Sequence, residues 1–577
     1  MEYKLPNHLD SFISDPLSVL DSDGLEVSYW AFLTTLLDPI ASSRVKLSHQ
    51  THRDLVFEDK TREPLTASEI YKHFTNAIET IAYSLTGSGN SDNSLLLAYW
   101  PDPLSPQLVQ RIVHAALQLP TLIPEGYLPV LGRSLGAQYS GSPTIQQVVT
   151  LTTEQVACIV CHMVLGTLPK PPWATISVEE GGGFSWDGPN LSPAWFADDG
   201  RGSKEIKSAY IRVLLAYLDA TLPVPHSSDT PGRRGVDCIT YQIVEGNFKE
   251  TRDRGEEIEM ESGNELVDIL TSVLSEKPEG VFSTHTLVPL RIILLEQEED
   301  DDHEECFTVD IASTIVCQLV SANSEIGFGP AATQEERLFG AVPTLLPAVL
   351  FTPRLRPTQG LLVSGDGINV FGHFKGHLRS ARLERIYPRQ AEGAEGGLFH
   401  SRKGRQFLFL DALEMDGELH GRDAELPLME RELRKLVVGF NALVRQPHSG
   451  IKESCDQSRS GVMHQRGKNH VVVVLPPWGC GTFGDDFKIK LLLIWLAASM
   501  VTGTDLASAV SASLELRLAV KKAWWEALDA EWRMFLEMIL KGQNIRTKAP
   551  GSNIAPSPPL PWTVGMLWTR LRAMERR

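Results

Sequence analysis

The stretch Gly327-Phe328-Gly329-Pro330-Ala331-Ala332-Thr333-Gln334-Glu335-Glu336 joins a glycine turn to a polar step that ends in two adjacent carboxylates. Glycine lets backbone N–H groups approach a ligand closely, and paired acids after such a turn indicate general acid/base work on a bound substrate. Thr333-x-x-Glu336 is also a capping box, which would begin a helix without any catalytic role. From these residues alone both interpretations stay open.

A second glycine loop lies nearer the C-terminus. Trp478-Gly479-Cys480-Gly481-Thr482-Phe483-Gly484 follows the apolar run His470 to Leu475 and precedes an apolar helical segment. Strand, glycine loop and helix in this order can place a phosphate at a helix N-terminus. No Gly-Lys-Ser/Thr follows, so this is not a Walker loop. The pattern predicts an anion-binding turn, with a plain turn as the alternative.

Composition sets the class of the protein. The 577 residues carry a net charge of −18, with 42% hydrophobic and 22% charged residues, as in an ordinary globular protein of several domains. The negative charge disfavours a nucleic-acid binder with a broad basic face, so a polyanionic ligand would need a local device such as backbone N–H groups. Seven cysteines, an odd number, fit a reducing compartment.

Targeting and membrane signals are weak. The N-terminal residues show no basic segment followed by an apolar one, which predicts that there is no signal peptide. The longest apolar run, residues 491 to 501, is too short to span a bilayer. We therefore expect no membrane association, and residence in the nucleus and/or cytoplasm.

The predicted secondary structure changes along the chain. The first ~220 residues read mostly as helices, opened for example by Ser105-Pro106 and by the capping box Thr152-Thr153-Glu154-Gln155. Strands then alternate with helices, which predicts an α/β sheet with covered faces. The candidate strands are residues 238–243, 290–295, 307–311, 346–351, 360–364, 407–412 and 471–475, and the candidate helices are residues 425–443 and 488–500.

Taken together, the two glycine stretches resemble the poly(ADP-ribose) glycohydrolase family. Its signature of a glycine triplet, a short spacer and Gln-Glu-Glu is matched by Gly327, Phe328 and Gly329 followed by Gln334, Glu335 and Glu336. Its diphosphate loop is matched by Trp478 to Gly484. The resemblance implies a mixed macrodomain-like sheet flanked by helices and preceded by a mostly α-helical accessory domain.

The resemblance also implies an activity, the hydrolysis of ribose–ribose O-glycosidic bonds in poly(ADP-ribose) to release ADP-ribose. Glu336 would be the general acid/base, and Asp310 is a further catalytic candidate. Adjacent helical residues diverge by about 100°, so Glu335 is better placed to position the substrate ribose than to flank the same bond. The alternative is a macrodomain-type protein that binds ADP-ribose or its polymer without cutting it.

Substrate contacts follow from the same resemblance. We expect them from Asn323, Gly327, Phe328, Gly329, Gln334, Phe374, Trp478, Gly479, Cys480, Gly481, Thr482, Phe483 and Gly484. No metal and no cofactor is implied. The expected partners are poly(ADP-ribose) and poly-ADP-ribosylated proteins, with no direct nucleic-acid binding, and a monomer is expected. A role in the DNA damage response would accompany this substrate.

The sequence departs from the family pattern at several places. Phe328 stands inside the glycine triplet, and Phe374 stands where the family has a tyrosine. The family asparagine is Ser313 if counted from Asp310, and Asn323 if counted back from Gly327. Residues 314–324 look inserted, and we expect them to form a surface excursion that leaves Asn323 at the ribose.

Four regions are predicted. They are a helical accessory domain at residues 1–224, a connecting segment at 225–285, a macrodomain-like catalytic domain at 286–510, and a C-terminal helix with a proline-rich tail at 511–577. No closing strand is recognisable after residue 500.

Overall fold

A computed structural model describes the chain over a set of separate ranges. They are residues 2–8, 28–43, 65–86, 105–132, 134–135, 144–145, 148–169, 171, 204–223, 237–246, 287–295, 314–327, 329, 332–376, 378–387, 405–415, 419–445, 470–481, 483–502, 513–544 and 563–575. The chain forms two compact units. One comprises residues 1–240, 327–353 and 367–400, and the other comprises residues 241–326, 354–366 and 401–577.

The first unit is mostly helical. Its helices are α1 (Tyr29–Ala41), α2 (Ala67–Thr86), α3 (Pro106–Leu117), α4 (Leu119–Leu122), α5 (Thr153–Leu165), α6 (Lys204–Thr221), α7 (Gln334–Ala341) and α8 (Ala348–Phe351). Its short strands are β1 (Glu2–Lys4), β2 (Tyr127–Pro129), β3 (Ser134–Leu135), β4 (Thr144–Ile145), β5 (Val148–Thr152), β10 (Gly372–Lys375) and β11 (Arg382–Ile386). Three 3-10 turns complete its description: Pro6–His8, Pro343–Leu345 and Leu378–Ser380.

The predicted helix starts of this unit are confirmed. Ser105 accepts a hydrogen bond from the Leu108 amide at the start of α3, where the proline follows the cap. At α5 the Thr152 side chain accepts from the Gln155 amide, and the Gln155 side chain accepts from the Thr152 amide. These reciprocal bonds satisfy donors that a helix would otherwise leave unpaired.

The main sheet has the strand order β5–β6–β9–β12–β8–β13–β14–β7. The strands not yet located are β6 (Cys238–Glu245), β7 (Leu290–Leu295), β8 (Thr314–Ala322), β9 (Gln359–Ser364), β12 (Arg405–Asp411), β13 (His470–Leu475) and β14 (Ser513–Lys521). The pairs formed by β12 with β8, β8 with β13, β13 with β14 and β14 with β7 are parallel, and β12 with β9 is antiparallel. The sheet is therefore mixed, as predicted.

Helices of the second unit cover this sheet. They are α9 (Leu426–Arg445), α10 (Phe487–Thr502), α11 (Lys522–Ala527), α12 (Ala530–Asn544) and α13 (Val564–Glu575). Apolar side chains of α9, α10, α12 and α13 join those of β8, β12, β13 and β14 in one buried core. The helix α10 is buried on nearly every side because almost all of its residues are apolar.

The expected insertion at residues 314–324 is wrong. Nine of these residues form β8, which pairs with β12 on one side and β13 on the other. Because β8 is paired on both sides within the main sheet, these residues cannot form a surface excursion. The misreading came from polar residues within the strand, such as Gln318, which is buried at 5% exposure.

Two other predictions fail locally. Residues 346–351 were expected to form a strand, but the structure has a turn and the short helix α8 there. After residue 510 only a helix and a tail were expected, whereas β14 enters the sheet between β13 and β7. The strands predicted near residues 240, 290, 360, 410 and 473 are confirmed. The one predicted at residues 307–311 lies outside the described residues.

The parallel strands bring three chain segments to one edge. Because β12, β8 and β13 run in the same direction, the residues that follow Asp411, Ala322 and Leu475 meet at their carboxyl ends. Ligands of α/β proteins bind at this edge. Of the helices within the described ranges, none is long and apolar enough to cross a membrane.

Candidate active site

The two glutamates of the first unit lie in the first turn of α7. Thr333 is the N-cap residue, and its hydroxyl accepts a hydrogen bond from the Glu336 amide at 3.4 Å. The Glu336 Oε2 atom accepts one from the Thr333 amide at 3.0 Å. The capping box predicted from the sequence is confirmed, and it fixes the position of the Glu336 carboxylate. Glu335 and Glu336 are 5% and 7% exposed.

Gly329 packs directly on that carboxylate. A Cβ atom at this position would lie 2.7 Å from the Cδ atom of Glu336 and would overlap its Oε1 atom. No other residue type fits here without moving the Glu336 carboxylate. This steric limit explains why the turn ends in glycine. The chain then enters the helix through Ala332, whose φ of 57° is unusual for a residue with a side chain.

Glu335 has a different task from its neighbour. Its Oε1 atom accepts a hydrogen bond from the Gly327 amide at 2.8 Å. One carboxylate therefore holds the beginning of the glycine turn, and the other contacts its end. This division agrees with the divergence of adjacent side chains on a helix. Glu335 thus positions the turn itself, a contact that the sequence did not predict.

An aromatic layer supports α7 within the same unit. Gly340 lies so close to Tyr210 of α6 that a Cβ atom would be 3.3 Å from the ring's Cγ atom and would overlap the ring edge. The Tyr210 ring lies 5.2 Å from that of Phe374, which is 1% exposed. Burial, and then the charge of Glu336, raise the pKa of the Tyr210 phenol. Phe374 is therefore part of the support beneath the acid-bearing helix.

In the second unit, Asn323 follows β8 at the carboxyl edge. Its Nδ2 atom donates to the Glu414 Oε1 atom at 3.3 Å, and its Oδ1 atom accepts from the Glu325 amide at 3.1 Å. These bonds fix the orientation of the amide at the surface of the edge. Glu414, just beyond β12, was not singled out from the sequence because no local motif marks it.

The glycine loop after β13 is closed by its own backbone. The Asp485 amide donates to the Gly479 carbonyl at 3.2 Å, and the Gly484 amide donates to the Gly481 carbonyl at 3.3 Å. Gly479 and Gly484 have φ values of 78° and 74°, which favour glycine. A Cβ atom at Gly481, by contrast, would meet nothing within 4 Å.

Neighbouring strands anchor this loop. The Gly479 amide donates to the Ser321 hydroxyl of β8 at 3.0 Å, and the Met415 amide donates to the Phe483 carbonyl at 2.7 Å. Trp478 is fully buried, with its indole N–H donating to the Leu410 carbonyl at 3.1 Å. Its side chain thus anchors the start of the loop to β12. Ser321 was missed from the sequence because it lies in the segment read as an insertion.

The remaining predicted site residues are accounted for as follows. Phe483 is half-buried against the core, and burial raises the pKa of the Cys480 thiol. Gln334 begins α7. Asp310, Ser313, Phe328 and Thr482 lie outside the described residues. Over the part of the chain that is described, no three His, Cys, Asp or Glu side chains gather as a metal-ion site would require.

Comparison with known families decides the identity. The profile described as poly(ADP-ribose) glycohydrolase, Macro domain fold, matches residues 303–511, and the profile of the helical domain of the same enzyme matches residues 104–241. The two matches together cover more than half of the chain. The chain belongs to the poly(ADP-ribose) glycohydrolase family. Both glutamates and the Trp478–Gly484 loop fall within the macrodomain match of this glycohydrolase family.

Solved structures give a more distant likeness. The crystal structure of poly(ADP-ribose) glycohydrolase from Deinococcus radiodurans in complex with ADP-ribose is 14% identical, with a TM-score of 0.24 over 44% of this chain and 84% of that one. A point mutant of the same bacterial protein, also with ADP-ribose, is 14% identical, with a TM-score of 0.21 over 45% of this chain and 86% of that one. TM-scores this low establish no common arrangement. No curated protein matches the chain.

Proposed function

We propose that this member of the family is an active poly(ADP-ribose) glycohydrolase that hydrolyses ribose–ribose O-glycosidic bonds and releases ADP-ribose. The observation that carries the proposal is the buried Glu336 carboxylate, held between the Thr333 amide and the Cα atom of Gly329. Helix caps normally lie at the surface and tolerate neighbours of many kinds. A cap that is buried and that requires a glycine against it is better explained by a need for exact placement of the acid.

Glu336 would act alone as general acid and base. It would protonate the leaving ribose oxygen and then take a proton from the water that attacks the oxocarbenium-like centre. Ordinary glycosidases use two carboxylates that flank the bond. Here the second carboxylate, Glu335, accepts from the Gly327 amide, which supports a positioning role instead.

The family resemblance implies that the substrate contacts the glycine loop after β13. The diphosphate would bind the Gly479–Gly484 loop, whose Gly481 is exposed and has open space in front of it. Backbone amides suit this task in a protein of net charge −18, because they bind anions without a fixed positive charge. Phe483 would pack on a ribose, and Asn323 would hydrogen-bond ribose hydroxyls.

The physiological partners would be poly(ADP-ribose) and proteins that carry it. We propose that the protein acts in the nucleus and/or the cytoplasm, in the DNA damage response. A fluorescent fusion imaged before and after DNA damage tests this assignment. A fusion that stays outside both compartments would contradict it.

Incubation of the purified chain with purified poly(ADP-ribose) tests the activity. Chromatography should show free ADP-ribose that accumulates with time. A matched incubation with mono-ADP-ribosylated protein tests whether the ribose–ribose bond is the target, and little release is expected there. Binding of the polymer without any release would instead support a non-catalytic ADP-ribose-binding protein.

A further inference from the structure

A buried lysine–aspartate pair lies beneath the glycine loop, between the loop and the helix that follows it. Asp485 comes directly after the last glycine, and Lys490 lies in the first turns of α10. The Lys490 Nζ atom is 3.1 Å from the Asp485 Oδ2 atom and 4.4 Å from the centre of the Trp478 ring. Lys490 and Asp485 are 2% and 7% exposed. Burial of charges is costly unless they are paired, so such a pair calls for an explanation.

The Asp485 carboxylate packs against the first glycine of the loop. A Cβ atom at Gly479 would lie 3.0 Å from the Asp485 Cγ atom and would overlap its Oδ2 atom. The Asp485 amide also donates to the Gly479 carbonyl. Asp485 therefore contacts Gly479 through both its backbone and its side chain. The two ends of the loop are joined at this residue.

Lys490 connects this closure to the rest of the second unit. Its Nζ atom also contacts the Glu432 carboxylate of α9, and Glu432 in turn contacts Arg431. Arg431 pairs with Asp411 at the end of β12, as does Lys435 of α9. Three acids and three bases thus join a strand end, two helices and the loop.

Stability alone is a weak reason for this network. Replacing a buried ion pair by apolar groups of similar size is often neutral or stabilising, because the charges need no longer be desolvated. A network of this kind does fix geometry, since each charged group has few arrangements in which it is paired. The part that reaches the loop is Lys490 with Asp485.

We propose that Lys490 and Asp485 are positioning residues that hold the Gly479–Gly484 loop in the conformation that accepts the diphosphate of ADP-ribose. This inference rests on the proposed function for the identity of the ligand. The part of the inference that concerns the conformation of the loop is independent of the proposed function, because that conformation can be measured without any ligand.

The charge on Asp485 adds a pH dependence. Burial raises the pKa of Asp485 to about 8, with Glu432 and Asp423 acting in the same direction and Lys490 opposing them. The groups that face it are therefore Lys490 on α10, Glu432 on α9, Asp423 before α9, and the Cys480 thiol within the loop. Below pH 8 the carboxyl holds its proton and does not repel an anion. Above pH 8 it becomes charged, so affinity for a diphosphate should fall.

Lys435 titrates close to the same range. Burial, and then the charge of Lys490, lower the pKa of Lys435 to about 7. Its loss of positive charge would also weaken anion binding as the pH rises. Asp485→Asn distinguishes the contribution of Asp485 from that of Lys435. It keeps the shape of the protonated carboxyl and abolishes only the fall in affinity near pH 8.

The test uses Lys490→Met, with Lys435→Met as a matched control. Both substitutions replace a buried lysine of the same network, but Lys435 contacts Asp411 and Lys490 contacts the loop. Calorimetry with ADP-ribose should show a loss of affinity of about tenfold or more in Lys490→Met. Lys435→Met should bind as the wild type does at pH 8 and above, where Lys435 is neutral in any case. Lys490→Arg should restore part of the affinity.

A second readout needs no ligand. Alkylation of Cys480 by N-ethylmaleimide, followed by mass spectrometry of the peptide that contains it, reports how well the loop is held. It should be slow in the wild type and in Lys435→Met, and faster in Lys490→Met. If the Lys490→Met protein does not fold, Asp485→Asn takes its place, with an affinity that stays flat between pH 8 and 9 as the expected result.

The outcomes separate this inference from the proposed function. Wild-type protein that binds no ADP-ribose would contradict the proposed function. The rate of Cys480 alkylation would still show whether Lys490 holds the loop. If Lys490→Met folds with unchanged Cys480 alkylation, the loop is not held by this pair and the inference is overturned. The same follows if the wild type binds ADP-ribose and the folded Lys490→Met protein binds it with equal affinity.

Discussion

Gly329→Ala tests whether the glycine turn exists to place the catalytic acid. The added Cβ atom would overlap the Glu336 Oε1 atom and lie 2.7 Å from Cδ and 3.2 Å from Cγ. The carboxylate must therefore move by about 1 Å or more, since ordinary contacts are at 3.5–4.0 Å. It would then lose its hydrogen bond from the Thr333 amide. We expect the helix to remain and the acid to be displaced.

The size of the effect can be worked from these contacts. Loss of one buried hydrogen bond costs about 1 kcal/mol. Forcing an extra methyl group into a packed site costs about 1–3 kcal/mol. The free energy of unfolding should fall by about 2–4 kcal/mol. Activity should fall much more, because a displacement of about 1 Å at a reacting group costs on the order of 100-fold.

The assay is the initial rate of ADP-ribose release from poly(ADP-ribose), with chemical denaturation measured on the same preparations. Gly166→Ala is the matched control. Gly166 ends α5 with a φ of 71° and has open space around its Cα atom, so alanine there strains the backbone without touching Glu336. We expect it to lower stability by about 1 kcal/mol and to leave the rate unchanged. Gly329→Ala with a wild-type rate would refute the reasoning.

Four further predictions concern the other contacts. Gly481→Val should weaken ADP-ribose binding in calorimetry. The melting temperature should change little, because the space at Gly481 is open in the fold. An affinity equal to that of the wild type would show that this loop does not bind the diphosphate. Wild-type affinity should also fall as salt rises, since charge screening weakens anion binding, and a salt-independent affinity would argue against a diphosphate contact. Asn323→Ala should raise KM for the polymer by about tenfold, and an unchanged KM would return the ribose contact to Ser313. Glu335→Ala should release the Gly327 amide and lower kcat. Glu335→Gln should keep both the hydrogen bond and kcat, because glutamine retains the acceptor oxygen. Equal rates for the two variants would contradict the positioning role.

Local signals predicted much of this structure. The capping boxes at Thr152 and Thr333 and the Ser105 cap follow from short-range chemistry, and all three are present. The strands near residues 360, 410 and 473 were recognisable because buried strands are short apolar runs bounded by turn residues. The same signals found both glycine stretches, since glycine marks a close approach that other residues cannot make.

Contacts between distant segments were not predictable in this way. β8 was misread because Thr314 and Gln318 interrupt its apolar run, and only its pairing with two neighbouring strands shows that it is central. β14 was missed although Leu514, Leu516 and Leu518 alternate with Glu515 and Arg517, a period-two pattern that is typical of a strand. Residues 346–351 are apolar because they are buried, and burial alone does not distinguish a helix from a strand. Ser321 and Lys490 act through partners far away in the sequence or on another element.

The most direct test of the account is the rate of ADP-ribose release by Glu336→Gln relative to wild type. Glutamine should keep the capping box, because Gln155 occupies the equivalent position at Thr152 and its side chain accepts from the Thr152 amide at 2.9 Å. The substitution therefore removes the proton donor and leaves the helix and the Gly329 contact in place. We predict a folded protein that still binds ADP-ribose and releases none from the polymer. Release at a rate near that of the wild type, from a protein equally stable, would show that Glu336 is only a helix cap and would contradict the proposed mechanism.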